Sequence, residues 1–105
     1  MSWNEAKEKV FNFYSDPGHG WLEVSTSDLD TVGLMVDDFS NFSYRSLHCV
    51  FLEEDCDASK FQVAYKKAFG KYPEMYRQHQ NSDSFVRSMA PIWVPEEVLK
   101  GRRQR

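Results

Sequence analysis

The residues best suited to chemistry stand together in Glu53-Glu54-Asp55-Cys56-Asp57, four carboxylates and a thiol in succession. Adjacent carboxylates offer the oxygen ligands that a hard cation such as Mg²⁺ takes, and each raises its neighbour's pKa toward general acid–base use. The same acids also suit the start of a helix. There Asp55 or Asp57 can accept backbone N–H groups as a cap, and all four favour the positive end of the helix dipole. Capping needs no further partner, which makes it the simpler of the two readings.

His19 lies in Pro17-Gly18-His19-Gly20-Trp21, where the glycines permit close backbone approach. An imidazole in that setting suits a base, a metal ligand or a structural hydrogen bond. His48 and Cys49 are adjacent, and on a strand they point to opposite faces, which argues against a dyad between them. A pairing of His19 with Cys56 stays geometrically open. The chain has no phosphate-binding glycine loop, G-x-S-x-G elbow, H-E-x-x-H helix, paired C-x-x-C or dinucleotide fingerprint. The reading therefore leans away from an enzyme, and no cofactor is expected.

These groups need elements to position them. Ser2-Trp3-Asn4-Glu5 has capping-box spacing, and Trp3, Ala6, Val10, Phe13 and Tyr14 then recur at helical intervals up to Asp16-Pro17-Gly18, which predicts a helix over residues 3–15. Residues 20–25 alternate as a strand, with Leu22 and Val24 on one face and Trp21 and Glu23 on the other. A short helix carrying Leu29 and Val32, capped by Thr26 or Ser27, ends at Gly33. Residues 42–45 and 48–53 read as two strands, the second apolar on both faces and therefore central. Phe61, Ala64, Tyr65, Ala68 and Phe69 give the clearest helix, over 57–69, with Asp57 as N-cap and Gly70 as stop. Residues 72–79 read as a polar edge strand, and Pro95 opens a last helical turn through Leu99. Together these predict an α+β fold: a small, mainly antiparallel sheet of three to four strands with helices packed on one face.

The chain's 105 residues and its 41% hydrophobic content, with 15% aromatics, suffice for one cored domain and argue against intrinsic disorder. The domain is expected over residues 1–99, followed by a basic tail at 100–105. No apolar run reaches the ~18 residues that span a bilayer, and no basic-then-apolar leader opens the chain. A cytoplasmic location is expected, with Cys49 and Cys56 as reduced thiols. Residues 16–57 hold ten acids against one base, Arg45, whereas residues 58–95 hold six bases against two acids. Such asymmetry either steers a partner or is neutralised within the fold. Lys60, Lys66, Lys67, Lys71, Arg77 and Arg87, interleaved with tyrosines, would serve nucleic-acid binding, but the net charge of −3 stands against it.

The segments His19-Gly20-Trp21-Leu22-Glu23-Val24, Phe42-Ser43-Tyr44, Phe51-Leu52-Glu53-Glu54-Asp55-Cys56-Asp57-Ala58 and Ser84-Phe85-Val86-Arg87-Ser88 resemble a family of short uncharacterised proteins from bacteriophages and mobile elements. The resemblance covers roughly residues 17–90, and H-G-W-L-x-V and L-E-E-D-C-D are its most specific parts. It implies a phage-type accessory protein and carries over no catalytic residue. It does raise His19, Trp21, Glu54, Asp55, Asp57 and Arg87 as binding candidates. The leading expectation is a small non-enzymatic accessory protein that binds a host or phage protein and inhibits host machinery or defence. Self-association is a further option, and neither nucleic acid nor membrane is an expected partner. The alternatives are a small metal-dependent hydrolase using His19 with the acidic cluster from Glu53 to Asp57, and a nucleic-acid-binding accessory factor using the basic half.

Overall fold

The computed structural model describes residues 9–102. The chain runs β1 (Val10–Ser15), β2 (Gly20–Ser25), α1 (Thr26–Thr31), β3 (Tyr44–Arg45), β4 (Cys49–Glu53), α2 (Ala58–Phe69), β5 (Glu74–His79), β6 (Ala90–Pro91) and α3 (Glu96–Arg102). Two 3₁₀ turns, Val36–Asp38 and Phe85–Ser88, interrupt the loops. All six strands join one sheet in the order β5-β1-β2-β4-β3-β6. Strands β1 and β5 pair in parallel, and the other pairings are antiparallel.

The sheet is thus a six-stranded mixed sheet, which corrects the expected three to four strands. One reason lies in residues 10–15, where a strand replaces the predicted helix; Lys9 has no regular secondary structure, and residues 3–8 of that prediction fall outside the described residues. Phe11 and Phe13 alternate toward the core while Asn12 and Tyr14 take the other face, and the pairings with β2 and β5 give this period-2 pattern its partners. Tertiary pairing overrides the helical spacing of Val10, Phe13 and Tyr14. The other reason is β6, a two-residue strand too short to leave an alternating signature.

Strands β2 and β4 form the centre of the sheet and are apolar on both sides. Leu22, Val24, Val50 and Leu52 face α2 and pack with Phe11, Phe13, Leu29, Phe61, Tyr65 and Phe69. The stripe of α2 is the one its spacing predicts, and Gly70 ends it at φ 81°, a left-handed conformation open to glycine without steric cost. Phe11, Phe61 and Tyr65 meet in edge-to-face and tilted geometry at centroid distances of 5.3–5.8 Å. On the other side Trp21, Phe51 and Val86 make a second, smaller cluster with Tyr14, Tyr44 and Met89 at its edge. A 3₁₀ turn, rather than a helix, covers this second face, since Val86 of Phe85–Ser88 sits fully buried against the sheet.

Gly20 has no side chain because the Phe13 ring occupies its place. A Cβ there would lie 2.5 Å from Phe13 Cζ and 3.2 Å from Glu54 Cδ. Because overpacking of this kind forces ring or backbone shifts, Gly20→Ala is expected to lower the free energy of unfolding by about 1–3 kcal/mol, whereas Gly101→Ala, with open space around it, should do so by far less. Urea titrations of both variants, followed by Trp fluorescence, check this.

Candidate functional site

The β1–β2 turn, residues 16–19, owes its shape to Asp16. This carboxylate is 5% exposed, and its Oδ1 accepts from the backbone N–H groups of Gly18 and His19, both at 3.0 Å. Oδ2 accepts from Ser84 N at 2.9 Å. Arg87 completes the set with a two-pronged contact, Nε to Oδ2 at 2.7 Å and Nη2 to Oδ1 at 3.0 Å. First the guanidinium and then the backbone donors hold the Asp16 carboxyl far below the usual carboxylate range, against the opposing effect of burial. Gly18 leaves room for this contact, since a Cβ there would meet Arg87 Nη2 at 2.9 Å. Asp16 was legible only as part of the Asp-Pro-Gly stop signal, and its partner Ser84 only as the first residue of the Ser84–Ser88 segment of the resemblance.

With the turn so fixed, His19 projects beside the end of β4. Its Nδ1 lies 3.2 Å from Oε2 of Glu53, whose side chain is 5% exposed. The other oxygen, Oε1, accepts from Asp55 N at 3.0 Å and Cys56 N at 2.9 Å, so Glu53 closes the turn that leads into α2. Donor atoms of His19, Glu53 and Asp55 all lie within 4.8 Å of one another. Burial, helped by the carboxylates of Glu53, Asp57 and Asp55, pushes the Cys56 thiol up, so at neutral pH it is a thiol rather than a nucleophilic thiolate. The geometry thus gives His19 a carboxylate partner and disfavours the Cys56 pairing.

The six candidate residues separate into groups. His19, Trp21 and Arg87 come together: the Arg87 guanidinium stacks over the Trp21 ring at 5.2 Å and the His19 ring lies 6.0 Å from it. Trp21 itself is 1% exposed, and its indole Nε1 is buried with no hydrogen-bond partner among the described residues. With Glu53, Asn41, Phe42 and Tyr44 these three line a depression of about 140 Å³. Asp55 joins His19 at the rim. Glu54 and Asp57 do not belong to the group. Glu54 lies beside Gly20 on the opposite side of the sheet from Trp21, and Asp57 is buried beneath α2.

Asp57 takes the N-cap position of α2, but its side chain makes no capping bond. It instead accepts from Ser40 N at 3.0 and 3.1 Å, from Ser40 Oγ at 2.8 Å and from the Ser43 hydroxyl. Ser43 Oγ in turn accepts from Glu53 N at 2.9 Å. The capping expectation for Asp57 is corrected accordingly: the carboxylate ties the loop before β3 to the end of β4. Among the described residues, Ser25, rather than the expected Thr26 or Ser27, caps α1 by accepting from Asp28 N, and Ser84 caps the 3₁₀ turn Phe85–Ser88 by accepting from Val86 N.

No protein-family model, curated protein or solved structure matches the chain. Among the described residues no helix is long and apolar enough to cross a membrane.

The Asp16–Arg87 pair has a consequence in acid. Because the folded-state pKa of Asp16 is depressed, its contribution to stability is fully present above the ordinary carboxylate pKa of about 3.9 and falls away as pH drops below it. Asp16→Asn should be clearly less stable than the native chain at pH 7, and the difference should shrink as pH falls from about 4 toward 2. Thermal melts of both proteins across that range check this. A gap independent of pH would mean that the carboxylate's charge is not what stabilises the turn.

Proposed function

We propose that the protein is a non-enzymatic accessory protein of phage or mobile-element origin that acts in the host cytoplasm by binding another protein, through the sheet face opposite α2. The observation that carries this reading is the exposure of Phe42 and Trp93, each 66% accessible. The β3–β6 pairing sets Tyr44 against Pro91, and Ile92 N donates to Ser43 O. That register brings Phe42 and Trp93 to the same end of the strand pair, and Phe42 also lines the depression with His19 and Arg87. Phe85 and Tyr76, 43% and 62% exposed, extend the aromatic character across the same face. Exposed aromatic side chains clustered with an arginine have the composition of an interface core, where Trp, Tyr and Arg dominate the binding energy.

The size of the depression supports binding over catalysis. At about 140 Å³ it lies well below the roughly 300 Å³ at which small-molecule sites begin, and it accommodates a partner's side chain rather than an organic substrate. Charge supports a modest role for electrostatic steering. Of the ten acids in residues 16–57, Asp16, Asp28, Glu53 and Asp57 are buried. Arg87 pairs with Asp16 and Lys9 with Asp28 at 2.9 Å, so part of the acidic excess is satisfied internally. Asp30, Asp37, Asp38, Glu54 and Asp55 stay at the surface.

Replacing both Phe42 and Trp93 by alanine tests this reading. The exposed positions should cost no more than about 0.5 kcal/mol each in stability. A protein captured from host or infected-cell lysate by the immobilised native chain should be lost with the double variant. Retention of the same partner at undiminished affinity would exclude this face as the docking surface.

A further inference from the structure

His19 and Asp55 reach the end of β4 from different turns, one between β1 and β2 and the other leading into α2, and both meet Glu53 there. We propose that His19, Glu53 and Asp55 form a mononuclear site for a divalent transition metal, of which Zn²⁺ and Mn²⁺ are the fitting ions. Two ligands bound to one tetrahedral Zn²⁺ at the usual ~2.0–2.1 Å lie about 3.3 Å apart. The 3.2 Å between His19 Nδ1 and Glu53 Oε2 already matches that separation.

Glu53 supplies the decisive observation. Its side chain is only 5% exposed, and the Asp55 and Cys56 N–H groups on Oε1 fix its orientation. Oε2 is left turned toward the half-exposed imidazole of His19. A buried, pre-oriented anion that faces an imidazole has the first two ligands of a metal site in place, with the backbone N–H groups as the outer partners that orient it. Asp55 is exposed and within 4.8 Å, so a rotation of its carboxylate brings in the third ligand.

Charge agrees with a divalent ion. Two carboxylates and a neutral imidazole balance a charge of +2, and Arg87, the nearest cation to the depression, is taken up by its two-pronged contact with Asp16. A nitrogen in the donor set favours Zn²⁺ or Mn²⁺ over Mg²⁺, which prefers oxygen ligands throughout. Solvent reaches the site past His19 and Asp55, leaving water for the remaining coordination position. The site does not depend on partner binding through Phe42 and Trp93, so either reading can fail alone.

Calorimetric titration of the metal-free protein with ZnCl₂ and MnCl₂ near pH 7.5 tests the site, together with melting temperatures in each ion. One equivalent of Zn²⁺ is expected to bind and to raise the melting temperature, as a ligand of the folded state must. His19→Ala and Asp55→Asn should each weaken that binding by about tenfold or more, whereas His79→Ala, at the far edge of the sheet, should leave it unchanged. Both ligand variants alter solvent-accessible side chains, and an unchanged melting temperature without metal shows that they are folded. Absence of stoichiometric binding by either ion, or binding that survives His19→Ala or Asp55→Asn intact, overturns the proposal.

Discussion

The second face of the sheet exists as an organised surface because a buried carboxylate, Asp16, is saturated with donors. Five N–H groups converge on it, two from its own turn and three from the segment of Ser84 and Arg87 some seventy residues later. An anion this buried is costly unless its lone pairs are met, so turn and segment can only be stable together. Once joined, they press Val86 onto Trp21 and Phe51 and lay the Arg87 guanidinium over the indole. The small aromatic cluster on this face thus rests on an electrostatic clamp at its border, whereas the larger cluster under α2 is mainly apolar, with the buried carboxylates of Asp28 and Asp57 at its margins.

The acidic stretch from Glu53 to Asp57 shows how strand geometry divides a run of similar residues. At the end of β4, Glu53 faces Trp21's side of the sheet and Glu54 the other, and the turn then carries Asp55 back toward His19 and Asp57 under the helix. Glu53 and Asp57 are both buried and both structural, but they anchor different things. Glu53 closes its own turn and meets His19. Asp57 gathers Ser40 and Ser43 from the loop before β3. Ser43 links the two through the Glu53 backbone, so the loop carrying Asn41 and Phe42 is tied to the site from below.

Much of the fold was legible where a residue pattern had one interpretation. The stripe of α2 with its stop at Gly70, the alternation of β2 and the two-sided apolarity of β4 each specify an element locally, and each element is present. The failure over residues 10–15 has a physical source: Val10, Phe13 and Tyr14 fit helical spacing, while Phe11 and Phe13 fit strand spacing, and the pairings with β2 and the distant β5 decide between them. The candidate site divides along the same line. His19 and the acidic run stand out by residue type, and Trp21 and Arg87 enter as binding candidates through the resemblance to short phage proteins. Asp16 and Ser84 matter through contacts across 68 residues of sequence, and a turn or cap signature announces no such partner.

The depression at the clamp and the aromatic rim beside it draw on different physics, which lets one small face carry two separable properties. Within the depression, buried Glu53 and half-exposed His19 form a polar floor whose geometry is fixed by backbone N–H groups and by the turn that Asp16 holds. Beside it, Phe42 and Trp93 flank the paired strands β3 and β6 and leave apolar area facing water. A polar floor of fixed geometry suits contacts that depend on charge and direction, while exposed aromatic side chains gain free energy from burial. Because Arg87 is committed to Asp16, its positive charge is spent inside the fold, and the floor presents itself to solvent as an imidazole and carboxylates.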